Sequence, residues 1–258
     1  MPDRDNETET RNHASGSEAT YIPAPAHLSP ITDEEIDWAA RERVLDRLLA
    51  MARQRHPFAV HADDAEVSRP IVENCMAWAQ HFGVCCSTPH AIFTDLMLTI
   101  APNFFLEPEI NDNLHADDMD PCALVETLND YVDDDAWRRA TAARRTWPLY
   151  LGPNAVGLDI AKQTEIALAL LAGQKIPADR IRAAASRGAA FAAKNGLERQ
   201  NPDAAIVAGT CALLYRPPRP DPLRTSWLIR VLQRSGPQAD QVVARLRHRL
   251  ADDFHFSV

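Results

Sequence analysis

Residues 112–137 read DNLHADDMDPCALVETLNDYVDDDAW, with one knot of aspartates at Asp117, Asp118 and Asp120 and another at Asp133, Asp134 and Asp135. Carboxyl groups held close together in a dry cavity cannot all ionise, so one keeps its proton and can act as a general acid. Clustered carboxylates also supply the hard oxygen ligands that Mg2+ takes, commonly together with a phosphate or diphosphate. Glu107, Glu109, Asp112 and His115 lie just upstream and would enrich either kind of site. The spacing is not that of an EF-hand, because no glycine stands at the required place. A structural account competes for part of the stretch. Asp120 stands immediately before Pro121, where its carboxylate can accept from the free N–H groups of a helix's first turn, and Asp133–Asp135 can do the same for DAWRRATAARR. The chemical candidates are therefore His115, Asp117 and Asp118 as catalytic residues, with Asp117, Asp118 and Asp120 as a candidate Mg2+ set.

Other residues carry a chemical and a structural alternative alike. Trp78, Trp137, Trp147 and Trp227 would suit an aromatic pocket that stabilises carbocations through its π faces, and Trp78 and Trp147 are the candidate substrate-pocket residues. Large rings are also ordinary core residues. Arg138, Arg139, Arg144 and Arg145 could grip a diphosphate bidentately, or form a solvated face that pairs with the preceding aspartates. The vicinal pair Cys85-Cys86 could chelate a soft metal or act in redox chemistry, the alternative being small buried side chains. His61, His81, His90 and His115 form no HxxxH or HExxH pattern, and no glycine-rich phosphate loop or GxSxG elbow occurs. The common metallohydrolase, nucleotide-binding and serine-hydrolase motifs are thus absent.

The elements that must position these residues read as helices with a consistent start signal. Thr32-Asp33-Glu34-Glu35 forms a capping box before LDRLLAMARQ. A cap residue followed by proline recurs at Thr88-Pro89, Asp120-Pro121, Asn201-Pro202 and Asp221-Pro222. Proline at the first helical position loses no helical bond and pre-sets φ. Gly83, Gly173, Gly196 and Gly236 are plausible stops. The pattern predicts about ten helices, near 32–54, 68–82, 88–101, 120–131, 133–144, 158–173, 177–195, 201–215, 221–235 and 237–252. AIVAGTCALL and EIALALLAG are apolar around most of their circumference and should be buried on several sides, whereas DRIRAAASRGAAFAAK has one dry stripe. The fold class is all-α, with helical hairpins arranged as an α/α toroid or an irregular bundle.

The chain has 258 residues, a net charge of -9 and 46% hydrophobic residues, as expected of one large soluble domain. The negative charge argues against a nucleic-acid backbone as partner. The five cysteines form no CxxC pair, so a disulfide framework is not expected. Residues 1–30 are polar, proline-dotted and aperiodic and read as a disordered or extended arm, leaving 31–258 as a single all-α domain. No stretch has the apolar core of a secretory signal or the ~20 apolar residues of a membrane span, and the expected location is cytoplasmic.

HADDMDPCALVETL resembles the Asp-x-Asp-Asp-Thr-Ala signature and following apolar helix of class II terpenoid cyclases, the squalene–hopene and diterpene type. Those proteins are α/α toroids in which the acidic motif protonates an isoprenoid to start cyclisation. The resemblance implies Asp117 as proton donor and Asp118 as its neighbour. His115 stands where the signature has its first aspartate, and Met119-Asp120 where it has Thr-Ala. WPLYLGPNAVGLDIAKQTEIALALL is similar to the threonine-then-apolar inner helices of the same superfamily, although the glutamine- and tryptophan-rich repeats of triterpene cyclases are absent. RPIVENCMAWAQHFGV, followed by NFF and an acidic cluster, resembles bacterial class I terpene synthases, in which a helix ending in Trp…Phe-Gly precedes an Asp-rich Mg2+ motif. Their second Asn/Ser/Glu metal motif is not visible. Asp120-Pro121-Cys122 resembles the Asp-x-Cys pair of zinc-dependent prenyltransferases, but no suitable histidine follows before His248. The expected function is that of a terpenoid-cyclase-like protein that binds or cyclises an isoprenoid, with prenyl diphosphate as one substrate form and Mg2+ as the cofactor. The alternative is a non-catalytic helical binding or scaffold protein.

Overall fold

Apolar residues recurring at helical spacing, bracketed by Asp-Pro starts and glycine stops, leave little choice but helix, and helix is what forms. The computed structural model describes residues 33–57, 59–60, 65–116, 119–173, 176–197 and 202–214. The chain divides into two units, Met1–Trp38 and Ala39–Val258, and all contacts below lie within the second. Among the described residues there are nine α-helices and no strand: α1 (Asp33–Arg55), α2 (Ala65–His81), α3 (Ser87–Thr99), α4 (Pro108–Leu114), α5 (Pro121–Tyr131), α6 (Asp134–Ala142), α7 (Ile160–Ala172), α8 (Ala178–Lys194) and α9 (Pro202–Leu214). Short 3-10 turns occupy Phe104–Leu106, Trp147–Leu149 and Pro153–Ala155.

Eight predicted helices correspond to α1–α3 and α5–α9. The predicted helices at 221–235 and 237–252, the Thr32 capping box and the 1–30 arm lie outside the described residues. α4 was not anticipated, because its N-cap is Glu107, a residue type seldom used there. The Glu107 carboxylate accepts from the Ile110 N–H at 3.1 Å, with Pro108 in the first turn. The start of α3 also differs: Cys86, not Thr88, is the N-cap, and Pro89 sits in the first turn. The first helical N–H groups have no intrahelical partner, so a proline there costs no bond, and the first bond runs from His90 N–H to Cys86. Asp120 and Asp159 cap α5 and α7 by accepting from Ala123 and Lys162 N–H at 3.0 and 2.9 Å.

α7, α8 and α9 pack on one another, and α2 packs against α3, α7 and the turns at 147–149 and 153–155. α9 is buried continuously from Pro202 to Cys211, as its charge-poor sequence requires, whereas α8 buries the stripe Ile181, Ala184, Ala185, Gly188, Ala189 and Ala192. Their backbones touch at two glycines. A Cβ on Gly188 would stand 2.3 Å from the Ala205 carbonyl oxygen, and one on Gly209 would stand 2.7 Å from Leu168 Cδ1. Small residues here are a packing requirement. The largest fully buried side chains include Phe93 of α3 and Phe104 and Phe105 of the following turn, whose rings lie 5.0–6.3 Å apart.

Candidate functional site

α2 ends in Trp78-Ala79-Gln80-His81, and the chain then turns through Phe82 and Gly83, the latter with φ of +79°. This places Trp78, His81 and Phe82 on one side of a cavity of about 770 Å³. Phe105 and Leu106 come from the turn at 104–106, Trp147 from the turn at 147–149, and Val156, Leu158 and Ile160 from the approach to α7. Trp78 stacks on Phe105 with centroids 4.5 Å apart and meets Trp147 edge-on at 5.8 Å. At the rim, Leu106, Val156 and Leu158 are 52%, 51% and 41% exposed; Tyr131 is the other exposed large hydrophobic among the described residues. Water-exposed apolar side chains are therefore concentrated around one opening.

The walls are held by hydrogen bonds from several directions. Trp78 Nε1 donates to the Leu151 carbonyl at 2.9 Å, and Asn74 Nδ2 donates to that of Leu149 at 3.0 Å. On the other side, the buried Asp203 carboxylate of α9 accepts from the Thr146 hydroxyl at 2.9 Å and its N–H at 3.2 Å. The segment carrying Trp147 is thus clamped between α2 and α9. Gln163 Nε2 donates to the carbonyls of Val156 and Leu158 at 3.1 and 2.8 Å, which fixes the lip. Asn111, another lining residue, donates to the Phe105 carbonyl at 2.8 Å.

His115 lines the cavity and lies edge-on to Phe82 at 5.3 Å. Its Nδ1 is 2.9 Å from the Asn111 carbonyl oxygen, which can only accept, so Nδ1 is the donor of that bond. Three sequence candidates, Trp78, Trp147 and His115, are thereby brought together. Among the described lining residues there is no lysine or arginine.

The remaining candidates are placed elsewhere or not described. Asp117 and Asp118 lie outside the described residues. Asp120 is exposed and caps α5. Asp133 is the N-cap residue of α6 without a side-chain cap bond; its N–H donates to Glu109 at 2.9 Å. Arg138 pairs with Asp135. Arg139 bridges Glu107 and Glu109 at 2.8 and 3.1 Å, and Arg144 donates to the carbonyls of Thr99, the last residue of α3, and of Ile100 just after it, at 3.2 and 2.8 Å. These interactions join α6 and the chain after it to α4 and α3. Trp137 packs on Phe104, centroids 6.1 Å apart, and Trp227 is outside the described residues.

A second cluster was only half visible in the sequence. Cys85 and Cys86, in the α2–α3 connection, meet Cys122 from the first turn of α5, and the three Sγ atoms lie within 4.8 Å of one another. Cys85 Sγ is 3.4 Å from Cys122 Sγ and 3.7 Å from Cys86 Sγ, and the Cys85 N–H donates to Cys122 Sγ at 3.3 Å. Hydrogen bonding with Cys122 and Cys85 pushes the Cys86 thiol up to about 12. Burial raises Cys122, but the hydrogen bonds from Cys85 and Cys86 together outweigh it and the net shift is downward. Cys75 is enclosed in the core, where burial pushes its thiol up to about 12.

Sequence reasoning did not single out Phe82, Phe105, Leu106, Val156 and Leu158 as lining residues, although the runs HFG and NFF marked the first two. Cys122 was missed as a partner of Cys85 because only the fold brings them together. No protein-family model matches this chain, and comparison with curated proteins and with solved structures gave no match.

Proposed function

We propose that this protein binds a neutral, apolar isoprenoid-type molecule in the Trp78–Trp147 cavity and cyclises it. One observation carries the reading: Leu106, Val156 and Leu158, three exposed apolar side chains, ring the mouth of a cavity walled by Trp78, Phe82, Phe105 and Trp147. A volume of about 770 Å³ lies inside the range of small-molecule pockets, roughly 300–1,000 Å³. Aromatic faces offer their negative quadrupole to a cation, so the walls suit a chain that becomes a carbocation. The described lining has no guanidinium or ammonium group to match a diphosphate, which favours an uncharged chain started by protonation over one started by loss of diphosphate.

Asp117 and Asp118 follow His115 by two and three residues and are the proton-donor candidates of this reading. Asp120, already engaged as a cap, is the weakest member of the Mg2+ set. Protonation of a neutral chain needs no metal, so Mg2+ belongs to the diphosphate route. The test is incubation of the full chain with squalene, farnesol and farnesyl, geranyl and geranylgeranyl diphosphates, with and without Mg2+, followed by product analysis. Cyclic products from a neutral chain without Mg2+, lost in Asp117→Asn, are expected. Binding without turnover in both wild type and Asp117→Asn would leave a non-catalytic carrier, and product formation that survives Asp117→Asn would remove the assigned acid.

A further inference from the structure

The three-sulfur cluster rests on observations independent of the aromatic cavity. Cys85 and Cys86 are contiguous, but Cys122 arrives from a different helix. The approach is built into the backbone. Gly83 turns the chain with positive φ, and a Cβ there would stand 3.0 Å from Pro121 Cγ, so the connection lies directly against the start of α5. The Cys85 N–H to Cys122 Sγ bond then fixes the register of the two segments. The sulfurs are brought together without a covalent link, at 3.4 and 3.7 Å.

These separations fit a common metal centre. Metal–sulfur bonds of about 2.3 Å put sulfurs about 3.8–4.0 Å apart around a tetrahedral or trigonal ion, so closing the cluster on an ion requires shifts of only a few tenths of an ångström for the two shorter pairs. Helix termini offset part of the negative charge that three thiolates bring. Cys86 is the N-cap of α3 and Cys122 lies in the first turn of α5, so two helix N-termini direct their positive ends at the cluster. Cys122 is buried and anchors the site, while Cys85 and Cys86 are exposed and leave a path from solvent. Among the described residues no histidine or carboxylate joins the group.

We infer that Cys85, Cys86 and Cys122 form a three-thiolate site for a single soft monovalent cation, Cu(I). Thiolate-only donors select soft ions, and three sulfurs complete the coordination of Cu(I), whereas Zn2+ almost always takes four ligands and would need one from outside the cluster. Binding exchanges three S–H bonds for three S–Cu bonds. Three protons pass to the buffer, no oxidation state changes, and the product carries two net negative charges beside the helix N-termini.

The test is anaerobic titration of the reduced full chain with Cu(I) held by the chromophoric chelator bicinchoninate, with parallel Zn2+ titration against a zinc-sensitive dye. Removal of one equivalent of Cu(I) per chain is expected, with three sulfurs in the copper X-ray absorption shell. Cys86→Ser and Cys85→Ser should each weaken binding by at least about a hundredfold, the upper end of what loss of a mere supporting hydrogen bond costs a metal site. Cys75→Ala should leave it unchanged. Both serine variants alter exposed positions; if either fails to fold, the X-ray absorption count on wild type still decides the ligand set. No capture of Cu(I), capture unaffected by both serine substitutions, a shell without three sulfurs, or a site that takes Zn2+ in preference to Cu(I) would overturn the assignment.

Discussion

Trp78 and Trp147 meet edge to face with ring centroids 5.8 Å apart, one from α2 and the other from a 3-10 turn that α2 and α9 clamp in place. The pair is both core and cavity wall: Trp78 is 4% exposed, and its indole N–H is committed to the Leu151 carbonyl at 2.9 Å. Trp78→Phe keeps a ring but leaves that carbonyl without its donor, a loss of about 1–3 kcal/mol. Urea unfolding should show it as a lower midpoint with unchanged slope.

The rim behaves differently from the wall. Leu106 and Val156 are more than half exposed, so Leu106→Asp and Val156→Asp should change stability by no more than about 0.5 kcal/mol. Their cost should appear in ligand binding instead, as a charge placed at the mouth of an apolar cavity. Melting curves measured beside isoprenoid affinity separate the two effects.

Asp203 is the buried carboxylate that secures Thr146 ahead of Trp147. Asp203→Ala leaves the Thr146 hydroxyl and N–H without this acceptor, and a loss of about 2–4 kcal/mol is expected. Asp203→Asn preserves the shape and part of the bonding and should cost less. Chemical denaturation of both variants gives the comparison.

Gly188 sets two opposing effects against each other. Alanine is the better helix former by about 0.5–1 kcal/mol. A Cβ at Gly188 would, however, stand 2.3 Å from a backbone oxygen of α9, and overpacking of this kind costs about 1–3 kcal/mol. Gly188→Ala should therefore be destabilising despite its propensity, as a thermal melt would show.

His90 gives the metal-free protein a pH dependence. Burial lowers its pKa, more than the bond from Nδ1 to the Cys86 carbonyl raises it, and Nε2 has no hydrogen-bond partner among the described residues. The unfolded chain binds a proton at His90 near pH ~6.5, whereas the folded chain resists until lower pH. The unfolded state thus holds more protons in that window, so the contribution is present above pH ~6.5 and is lost as pH falls towards the folded value. The free energy of unfolding from denaturant titrations should decline below pH ~6.5, by up to about 1.4 kcal/mol per pH unit, and His90→Gln should flatten that part of the profile.

Local signals carried much of the fold. Asp120-Pro121 announced α5 because the cap is a contact between near neighbours, and Gly83, Gly173 and Gly196 have the positive φ that a helix stop uses. α4 escaped because a glutamate cap resembles any other surface glutamate. The site was less legible for a physical reason. Its walls come from α2, two 3-10 turns and the lip before α7, and only packing determines that Trp78 faces Trp147 while Trp137 packs on Phe104. Cys122 meets Cys85 across 37 positions in the chain, a distance at which residue spacing carries no information.

The most direct measurement is equilibrium dialysis of the full chain against labelled farnesol and farnesyl diphosphate, in wild type and in Leu158→Asp. The cavity predicts saturable binding of one farnesol per chain, weaker binding of the diphosphate, and loss of both in Leu158→Asp with the melting curve unchanged. Absence of saturable farnesol binding, or equal binding by a folded Leu158→Asp protein, would contradict it.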